Sequence, residues 1–151
     1  MAQLQRGDEA PAFSLEDGDG TTWSLADLRG QKVVVYFYPA DDTPGCTAQA
    51  CDFRDAQPRL GEEGYRVFGV SPQGAGSHRK FSDKYSLNFP LLVDSEYEMA
   101  RAYAVAEERD GKKPRIVRST FVIDEDGRLT EAQYGVSARG HVESLLSGIG
   151  S

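Results

Sequence analysis

Six β-branched and aromatic residues follow one another without a polar interruption in this chain: Val33-Val34-Val35-Tyr36-Phe37-Tyr38. Such a run is typical of a strand that is buried on both faces of a sheet. Pro39 ends it, because proline cannot donate to the hydrogen-bond ladder of a central strand. Thr43 and Pro44 then combine an N-cap residue with a proline suited to the first helical position, which predicts a helix. We expect this helix to reach about Leu60, with Pro58 bending or shortening it.

The segments beyond this helix alternate between strand and helix patterns. They predict a strand at Tyr65–Ser71, a helix at residues 77–85, a strand at Leu91–Val93 and a helix opened by a capping box at residues 95–98. An Asp126-Gly127 turn between residues 119–124 and 128–133 indicates a hairpin. A C-terminal helix is predicted from apolar residues spaced i, i+3, i+4 and i+7, namely Val142, Leu145, Leu146 and Ile149.

The N-terminal segment completes the predicted fold. Residues 7–13 and the cluster Asp17-Gly18-Asp19-Gly20 indicate a short hairpin, and residues 24–27 a capped single turn. No repeat, low-complexity tract or linker interrupts the chain, so we expect residues 1–151 to form one domain. Strands that alternate with helices and end in a hairpin and a helix indicate an α/β fold. A thioredoxin-like fold fits best, with a central mixed sheet flanked by helices and an N-terminal β-hairpin.

Charge and cysteine content restrict the partners and the compartment. The 24 acidic and 17 basic residues give the chain a net charge of −7. A field of this sign repels phosphate backbones and anionic lipid surfaces, so neither nucleic acid nor a membrane is an expected partner. Residues 1–11 lack the apolar core of a signal peptide, and we expect a cytoplasmic location. Two cysteines in that reducing compartment suit redox chemistry better than a structural disulfide.

Cys46 is the candidate nucleophile of the chain. With Thr43 as the N-cap, Cys46 is the third residue of the predicted helix. Free backbone N–H groups and the positive end of the helix dipole favour thiolate over thiol at this position, and the thiolate is the reactive form. The alternative for a free cysteine in a first helical turn is a small buried hydrophobe.

Several other polar residues are predicted to have no role in chemistry. His78 and His141 lie in polar segments, so we expect both at the surface and neither in a metal site. Arg54 is predicted to lie on a solvated helix face. Neither Asp17-Gly18-Asp19-Gly20 nor Asp124-Glu125-Asp126-Gly127 has the full spacing of a calcium loop, so both are predicted to be turns.

The segment around Cys46 resembles the active site of the peroxiredoxins, in which a proline, a threonine and a cysteine are spaced as Pro39, Thr43 and Cys46 are here. Gly45-Cys46-Thr47 with a second cysteine, Cys51, is similar to the bacterioferritin-comigratory or Q-type branch. The resemblance covers nearly the whole chain and includes three further motifs, Gly7-Asp8-Glu9-Ala10-Pro11, Phe89-Pro90-Leu91-Leu92 and Arg118-Ser119-Thr120-Phe121-Val122-Ile123-Asp124.

The resemblance implies a role for each of the matching residues. Cys46 would be the peroxidatic cysteine that reduces hydrogen peroxide and alkyl hydroperoxides, and Cys51 would resolve its sulfenic acid as an intramolecular disulfide. The Thr43 hydroxyl would hold the peroxide oxygens and Pro39 would shield the sulfur from water. Arg118 would stabilise the negative charge that develops in the reaction. Thioredoxin would be the reductant, no cofactor would be needed, and the protein would act as a monomer or a weak dimer.

The spacing of the two cysteines sets a condition on that disulfide. On an ideal helix their Cα atoms are about 8.6 Å apart, beyond the ~7 Å at which a disulfide closes without backbone movement. The first turns of the helix would therefore have to unwind after oxidation. Gly45 favours this unwinding, because glycine is a poor helix former.

The chain departs from the family pattern at two positions, and two other functions compete. Ala40 stands where the family often has lysine, which removes a cation near Cys46, and Gln49 stands where it often has glutamate. The first competing function is a thiol–disulfide oxidoreductase, although such enzymes normally space their cysteines as Cys-x-x-Cys. The second is a non-catalytic redox sensor that uses the same cysteine pair as a switch.

Overall fold

A five-stranded mixed sheet forms the centre of the computed structural model, which describes residues 3–149. The strands are β1 (Ser14–Glu16), β2 (Thr22–Ser24), β3 (Lys32–Phe37), β4 (Tyr65–Ser71), β5 (Leu91–Val93), β6 (Ala106–Arg109), β7 (Lys112–Ile116), β8 (Ser119–Ile123) and β9 (Leu129–Tyr134). The helices are α1 (Pro44–Glu62), α2 (Ala75–Tyr85), α3 (Glu98–Ala102) and α4 (His141–Ile149). The central sheet has the order β5-β4-β3-β8-β9, and two short hairpins, β1-β2 and β6-β7, lie outside it.

The central strand β3 explains why the sheet has a core on both faces. It pairs in parallel with β4 and antiparallel with β8, so Val35 lies between Phe68 and Phe121. Its side chains alternate between two buried clusters, with Val33, Val35 and Phe37 in one and Val34 and Tyr36 in the other. Tyr38, directly after the strand, belongs to the second cluster. The predicted strand buried on both faces is confirmed.

The second of these clusters holds Cys46, together with Ala50, Phe53 and Leu60 of α1 and Val142 and Leu145 of α4. Helix α1 therefore packs on the sheet through the face that carries Cys46. The ring of Tyr36 stacks on Phe53 with centroids 4.5 Å apart. The first turns of α1 are thereby anchored in the core through the same face that carries Cys46.

Helix α1 continues past Pro58 to Glu62, which confirms the predicted end near Leu60 and shows that this proline does not shorten the helix. Pro58 has no N–H to donate to the carbonyl of Arg54, four residues earlier. The side chain of Asn88 replaces the missing donor, with Nδ2 at 3.1 Å from the Arg54 carbonyl oxygen. This substitute from a distant loop lets the helix tolerate the proline.

The helix that follows β5 begins differently from the prediction. Its N-cap is Tyr97, with φ of 60°, and the capping box at residues 95–98 does not form. The carboxylate of Asp94 caps the helix instead, accepting hydrogen bonds from the backbone N–H groups of Met99 at 3.1 Å and Ala100 at 2.9 Å. Helix α2 begins at Ala75, two residues before its predicted start.

The hairpins differ from the predictions in position or were not predicted. The N-terminal hairpin consists of β1 and β2 rather than residues 7–13, and the carboxylate of Asp17 organises its turn by accepting from the N–H groups of Asp19 and Thr21. The hairpin β6-β7, with Gly111 at φ of 67° in its turn, was missed because its exposed strands are rich in charge and lack apolar alternation. The hairpin β8-β9 and the single turn at Ala26–Leu28 are confirmed. Across residues 3–149, every helix is too short or too polar to cross a bilayer.

Candidate active site

Cys46 lies in the first turn of α1 with only 1% of its surface exposed. Thr43 is the N-cap, in an extended conformation, and its carbonyl accepts the first helical bond from the N–H of Thr47 at 2.8 Å. The predicted helix start is therefore confirmed. The Thr43 hydroxyl does not cap the helix but donates to the carbonyl of Ala40 at 3.3 Å. This bond is long for a hydroxyl donor, so the hydroxyl is weakly held.

Arg118 is the charged partner of the Cys46 sulfur. Its Nη2 lies 3.2 Å from Sγ, although the two residues are 72 positions apart in the sequence. The sheet explains this approach, because the antiparallel register pairs Phe37 at the end of β3 with Ser119 at the start of β8. Arg118, which directly precedes β8, therefore lies at the end of β3 from which the chain continues into α1.

Gln49 holds the other side of the guanidinium. It lies one turn after Cys46, is fully buried, and its Oε1 accepts from Nη1 of Arg118 at 2.6 Å. Because a guanidinium only donates, this bond fixes which end of the amide faces Arg118. Sequence reasoning identified Gln49 only as a departure from the family pattern and missed its role in orienting Arg118.

Gly45 makes the close approach of Arg118 possible. A Cβ atom added at Gly45 would lie 3.2 Å from the Cβ of Ala138 and 3.4 Å from Nη2 of Arg118. Any larger residue would therefore push against the loop after β9 or against the guanidinium. The sequence indicated only that Gly45 eases unwinding of the helix, because glycine has a low helix propensity. The structure shows in addition that a side chain at this position would crowd Ala138 and Arg118.

The loop between β3 and α1 is held by the segment between β4 and α2. Gln73 donates from Nε2 to the carbonyl of Pro39 at 3.1 Å and accepts from the N–H of Asp41 at 3.1 Å. The Asp41 carboxylate accepts from the Tyr38 hydroxyl at 2.6 Å. Pro39 itself is exposed at the surface above this loop. Gln73 and Asp41 were missed as site residues because they are 32 positions apart and carry no local signal.

Both histidines are buried, so the prediction that they lie at the surface is wrong. His78 contacts Asp41 and the carbonyl of Leu92, and His141 lies 2.8 Å from the Thr120 hydroxyl through Nε2. Burial, and then the positive charge of Arg118, lower the pKa of His141 below its ordinary value. His78 lies on α2 and His141 on α4, each on the face of its helix that is buried. The polar neighbours that led to the wrong prediction lie on the other faces of these helices.

Cys51 lies on the same uninterrupted helix as Cys46 and is half-buried, and both thiols are free. Three residues later, Arg54 keeps 31% of its side chain exposed, in line with the predicted solvated helix face. Its Nη1 donates to the carbonyl of Tyr85, the last residue of α2, at 2.7 Å. Helix α1 is therefore fastened to α2 directly after the second cysteine.

Comparisons with known proteins agree with this geometry. The model of the AhpC/TSA family matches residues 6–132. A putative peroxiredoxin of Mycobacterium tuberculosis is 49% identical over 146 residues, which cover 95% of this chain and 93% of the relative. The structure of a cysteine-to-serine mutant of Xylella fastidiosa PrxQ is similar with a TM-score of 0.92 and 31% identity, covering 99% of this chain and 98% of that one.

A further solved structure is that of the Xanthomonas campestris bacterioferritin comigratory protein, described for its alkyl peroxide reduction activity. It is similar with a TM-score of 0.86 and 34% identity, covering 91% of this chain and 90% of the other. The family match and the identity over nearly the full length agree with each other and with the thioredoxin-like fold. The chain therefore belongs to the AhpC/TSA family, among the Bcp and PrxQ peroxiredoxins, and is a thiol-dependent peroxidase.

Proposed function

We propose that Cys46 is the peroxidatic cysteine and that it reduces hydrogen peroxide and alkyl hydroperoxides. The observation that carries this proposal is the Arg118 guanidinium at 3.2 Å from a buried sulfur in the first turn of a helix. A cation and a helix N-terminus both stabilise negative charge on sulfur. The thiolate attacks one peroxide oxygen, the O–O bond breaks, and the sulfur is oxidised to a sulfenic acid. Hydroxide or alkoxide leaves with the bonding electrons and takes up a proton.

Thr43 and Pro39 are proposed to prepare the peroxide for attack. The Thr43 hydroxyl makes only a long bond to Ala40, so it can turn to bind a peroxide oxygen. Arg118, which donates to the Cys46 sulfur, stabilises the negative charge on the departing oxygen. Pro39 is exposed on the loop that leads into α1, and we assign to it the shielding of the sulfur from water.

Cys51 is proposed to resolve the sulfenic acid as an intramolecular disulfide, with release of water. Both cysteines belong to one continuous helix, on which Cys46 shares the buried face with Ala50 and Phe53. The ideal-helix separation of about 8.6 Å prevents a disulfide, so residues 43–53 must unwind first. The bonds of Arg54 to the Tyr85 carbonyl and of Asn88 to Arg54 hold the helix beyond that segment.

The reductant is proposed to be thioredoxin, which would attack the exposed disulfide by thiol exchange. A cytoplasmic location follows from this proposal, because a reducing compartment supplies the dithiol. We further propose that the chain acts as one domain, as a monomer or weak dimer, and without nucleic acid. The excess of acidic residues supports the last point.

The thiol–disulfide oxidoreductase is the weaker proposal. Cys46 is 1% exposed, which admits a small peroxide more readily than a protein disulfide. The deciding experiment is a coupled assay that follows NADPH oxidation in the presence of thioredoxin, thioredoxin reductase and peroxide. We expect catalytic peroxide consumption by the full chain. A protein that reduces disulfides of other proteins but consumes no peroxide under these conditions would contradict the proposed function.

A further inference from the structure

His78 has an arrangement that determines its protonation. Its two ring nitrogens are both within hydrogen-bond distance of oxygen atoms: Nε2 is 2.8 Å from the carbonyl oxygen of Leu92, and Nδ1 is 2.7 Å from Oδ2 of Asp41. A backbone carbonyl only accepts hydrogen bonds. Nε2 must therefore carry a hydrogen. The state of Nδ1 depends on whether Asp41 is ionised.

Asp41 is held in its ionised form by the donors around it. The Tyr38 hydroxyl lies 2.6 Å from Oδ1, and the Ser77 hydroxyl lies 2.7 Å from Oδ2. Burial raises the pKa of Asp41, but the hydrogen bonds from His78, Tyr38 and Ser77 outweigh it, so the pKa lies below its ordinary value. An ionised carboxylate only accepts, so Nδ1 of His78 must carry a hydrogen as well.

We propose that His78 is an imidazolium whose buried ion pair with Asp41 positions the loop that carries Pro39 and Thr43 for the reaction with peroxide. Both side chains are removed from solvent, with 0% of His78 and 4% of Asp41 exposed. The ion pair joins three parts of the protein, because His78 belongs to α2, its other nitrogen is bound to β5, and Asp41 precedes α1. His78 acts through this loop on residues to which we have assigned roles, so the inference rests on the proposed function.

The backbone of the loop shows why it needs to be held. Asp42, between the ion pair and Thr43, has φ of 57°, a conformation that is uncommon for residues with a side chain. Its carboxylate accepts from Lys84 at 2.8 Å and from the Tyr85 hydroxyl at 2.7 Å. Helix α2 therefore holds the two residues that precede Thr43, Asp41 through His78 and Asp42 through the last two residues of the helix. Without the ion pair, Asp42 can relax and displace the Thr43 hydroxyl.

His141 offers an internal comparison, because it is buried as His78 is but in a different surrounding. Its Nε2 faces the Thr120 hydroxyl, which can donate as well as accept. Burial, and then Arg118, lower the pKa of His141. We expect one histidine of this chain to be an imidazolium and the other a neutral imidazole at the same pH.

Nitrogen-15 NMR of the two imidazole rings tests the protonation directly in the reduced full chain at pH 7. We expect both ring nitrogens of His78 to carry hydrogen and only one ring nitrogen of His141 to do so. The Asp41→Asn variant should convert His78 to a neutral ring. A neutral His78 in the unmodified protein would overturn the proposal, and this measurement requires neither a variant nor peroxidase activity.

The positioning role is tested by two reactions of the same sulfur. In His78→Gln, the rate of Cys46 oxidation by hydrogen peroxide should fall by roughly ten- to a hundredfold, because a small displacement of positioning groups is costly. Alkylation of Cys46 by iodoacetamide, which does not use Thr43, should change less than about twofold on the same reasoning. Lys80→Gln removes a charge from an exposed site of α2 and is the matched control, with both rates unchanged.

The outcomes separate this proposal from the proposed function. Equal peroxide rates in His78→Gln and the unmodified chain would overturn the positioning role. Faster alkylation would also overturn it, because it would show a general loosening that exposes the sulfur. If the unmodified chain fails to react with peroxide while His78 is an imidazolium, the proposed function fails and the ion pair stands.

Discussion

Cys46 and Cys51 lie five residues apart on one helix, yet their surroundings differ in kind. Cys46 is almost fully buried, bonded to Arg118 and packed in the core cluster with Ala50 and Phe53. Cys51 is half-buried and lies outside both core clusters. The surroundings of Cys46 suit the reaction with a small oxidant, whereas those of Cys51 permit movement. In the proposed mechanism, the helix that favours the reaction of Cys46 with peroxide therefore opposes the formation of the disulfide with Cys51.

The clearest test of this difference replaces each cysteine by serine. Cys46→Ser should abolish peroxide consumption, because no nucleophile remains. Cys51→Ser should reduce one equivalent of peroxide and then stop with Cys46 as a sulfenic acid. Mass spectrometry after trapping with dimedone distinguishes the two variants. Normal steady-state turnover by Cys46→Ser would remove Cys46 from the mechanism.

Arg118→Met tests what makes the Cys46 side of the helix reactive. The methionine keeps the apolar volume but removes the donor 3.2 Å from the sulfur. We expect the second-order rate with hydrogen peroxide to fall roughly a hundredfold, as when one charge-stabilising donor is removed from an active site. Stopped-flow measurement of the peroxide reaction gives this rate. Arg54→Met, on the same helix but bonded to the Tyr85 carbonyl, is the matched control and should leave the peroxide rate unchanged.

Hydrogen exchange on the two redox states tests the predicted movement. In the reduced protein, the amides of residues 46–53 should be protected as part of α1. In the disulfide form the same amides should lose protection, because the helical bonds must break to bring the Cα atoms into range. The amides after Arg54 should remain protected in both states. Equal protection of residues 46–53 in both states, with the intramolecular disulfide verified by mass, would falsify the unwinding model.

Gly45→Ala should affect both the reaction of Cys46 with peroxide and the formation of the disulfide with Cys51. Alanine stabilises a helix by up to ~1 kcal/mol over glycine, which would slow disulfide formation about fivefold if unwinding limits it. The added Cβ also presses on Ala138 at 3.2 Å and on Arg118, so the peroxide reaction should slow as well. Gly61→Ala is the control, because it lies in the same helix with open space around its Cβ. Equal disulfide rates in Gly45→Ala and the unmodified chain would contradict unwinding as the limiting step.

Asn88→Ala should have the smallest effect of the five changes. Its side chain donates to the Arg54 carbonyl that Pro58 leaves without a helical donor. Loss of this bond should lower the free energy of unfolding by about 1 kcal/mol, measured by urea denaturation. In a Pro58→Ala background the N–H of residue 58 becomes available, so the same change should cost less. Equal costs in both backgrounds would exclude the compensation that we describe.

Local patterns were sufficient to predict much of the fold. Three predictions that depend only on neighbours in the sequence are confirmed. They are the strand from the run at residues 33–38, the helix start at Thr43 and Pro44, and the hairpin from the Asp126-Gly127 turn. The errors occur where a residue from elsewhere in the chain makes a hydrogen bond that the local sequence pattern does not predict. Asn88 compensates for Pro58, and Asp94 takes over the capping that was assigned to residues 95–98. Both histidines were misplaced because their partners come from other elements.

The four helices, the five strands of the central sheet and the place of Cys46 in the first turn of α1 could be predicted from the chain alone, because propensity, apolar periodicity and capping act over a few residues. Contacts around the sulfur could not be derived in that way. Arg118 reaches Cys46 across 72 positions because the antiparallel register of β3 and β8 pairs Phe37 with Ser119. The His78–Asp41 ion pair likewise exists only because α2 packs beside the loop before α1. Side chains that are distant in sequence acquire their partners from sheet register and helix packing, which no local pattern encodes.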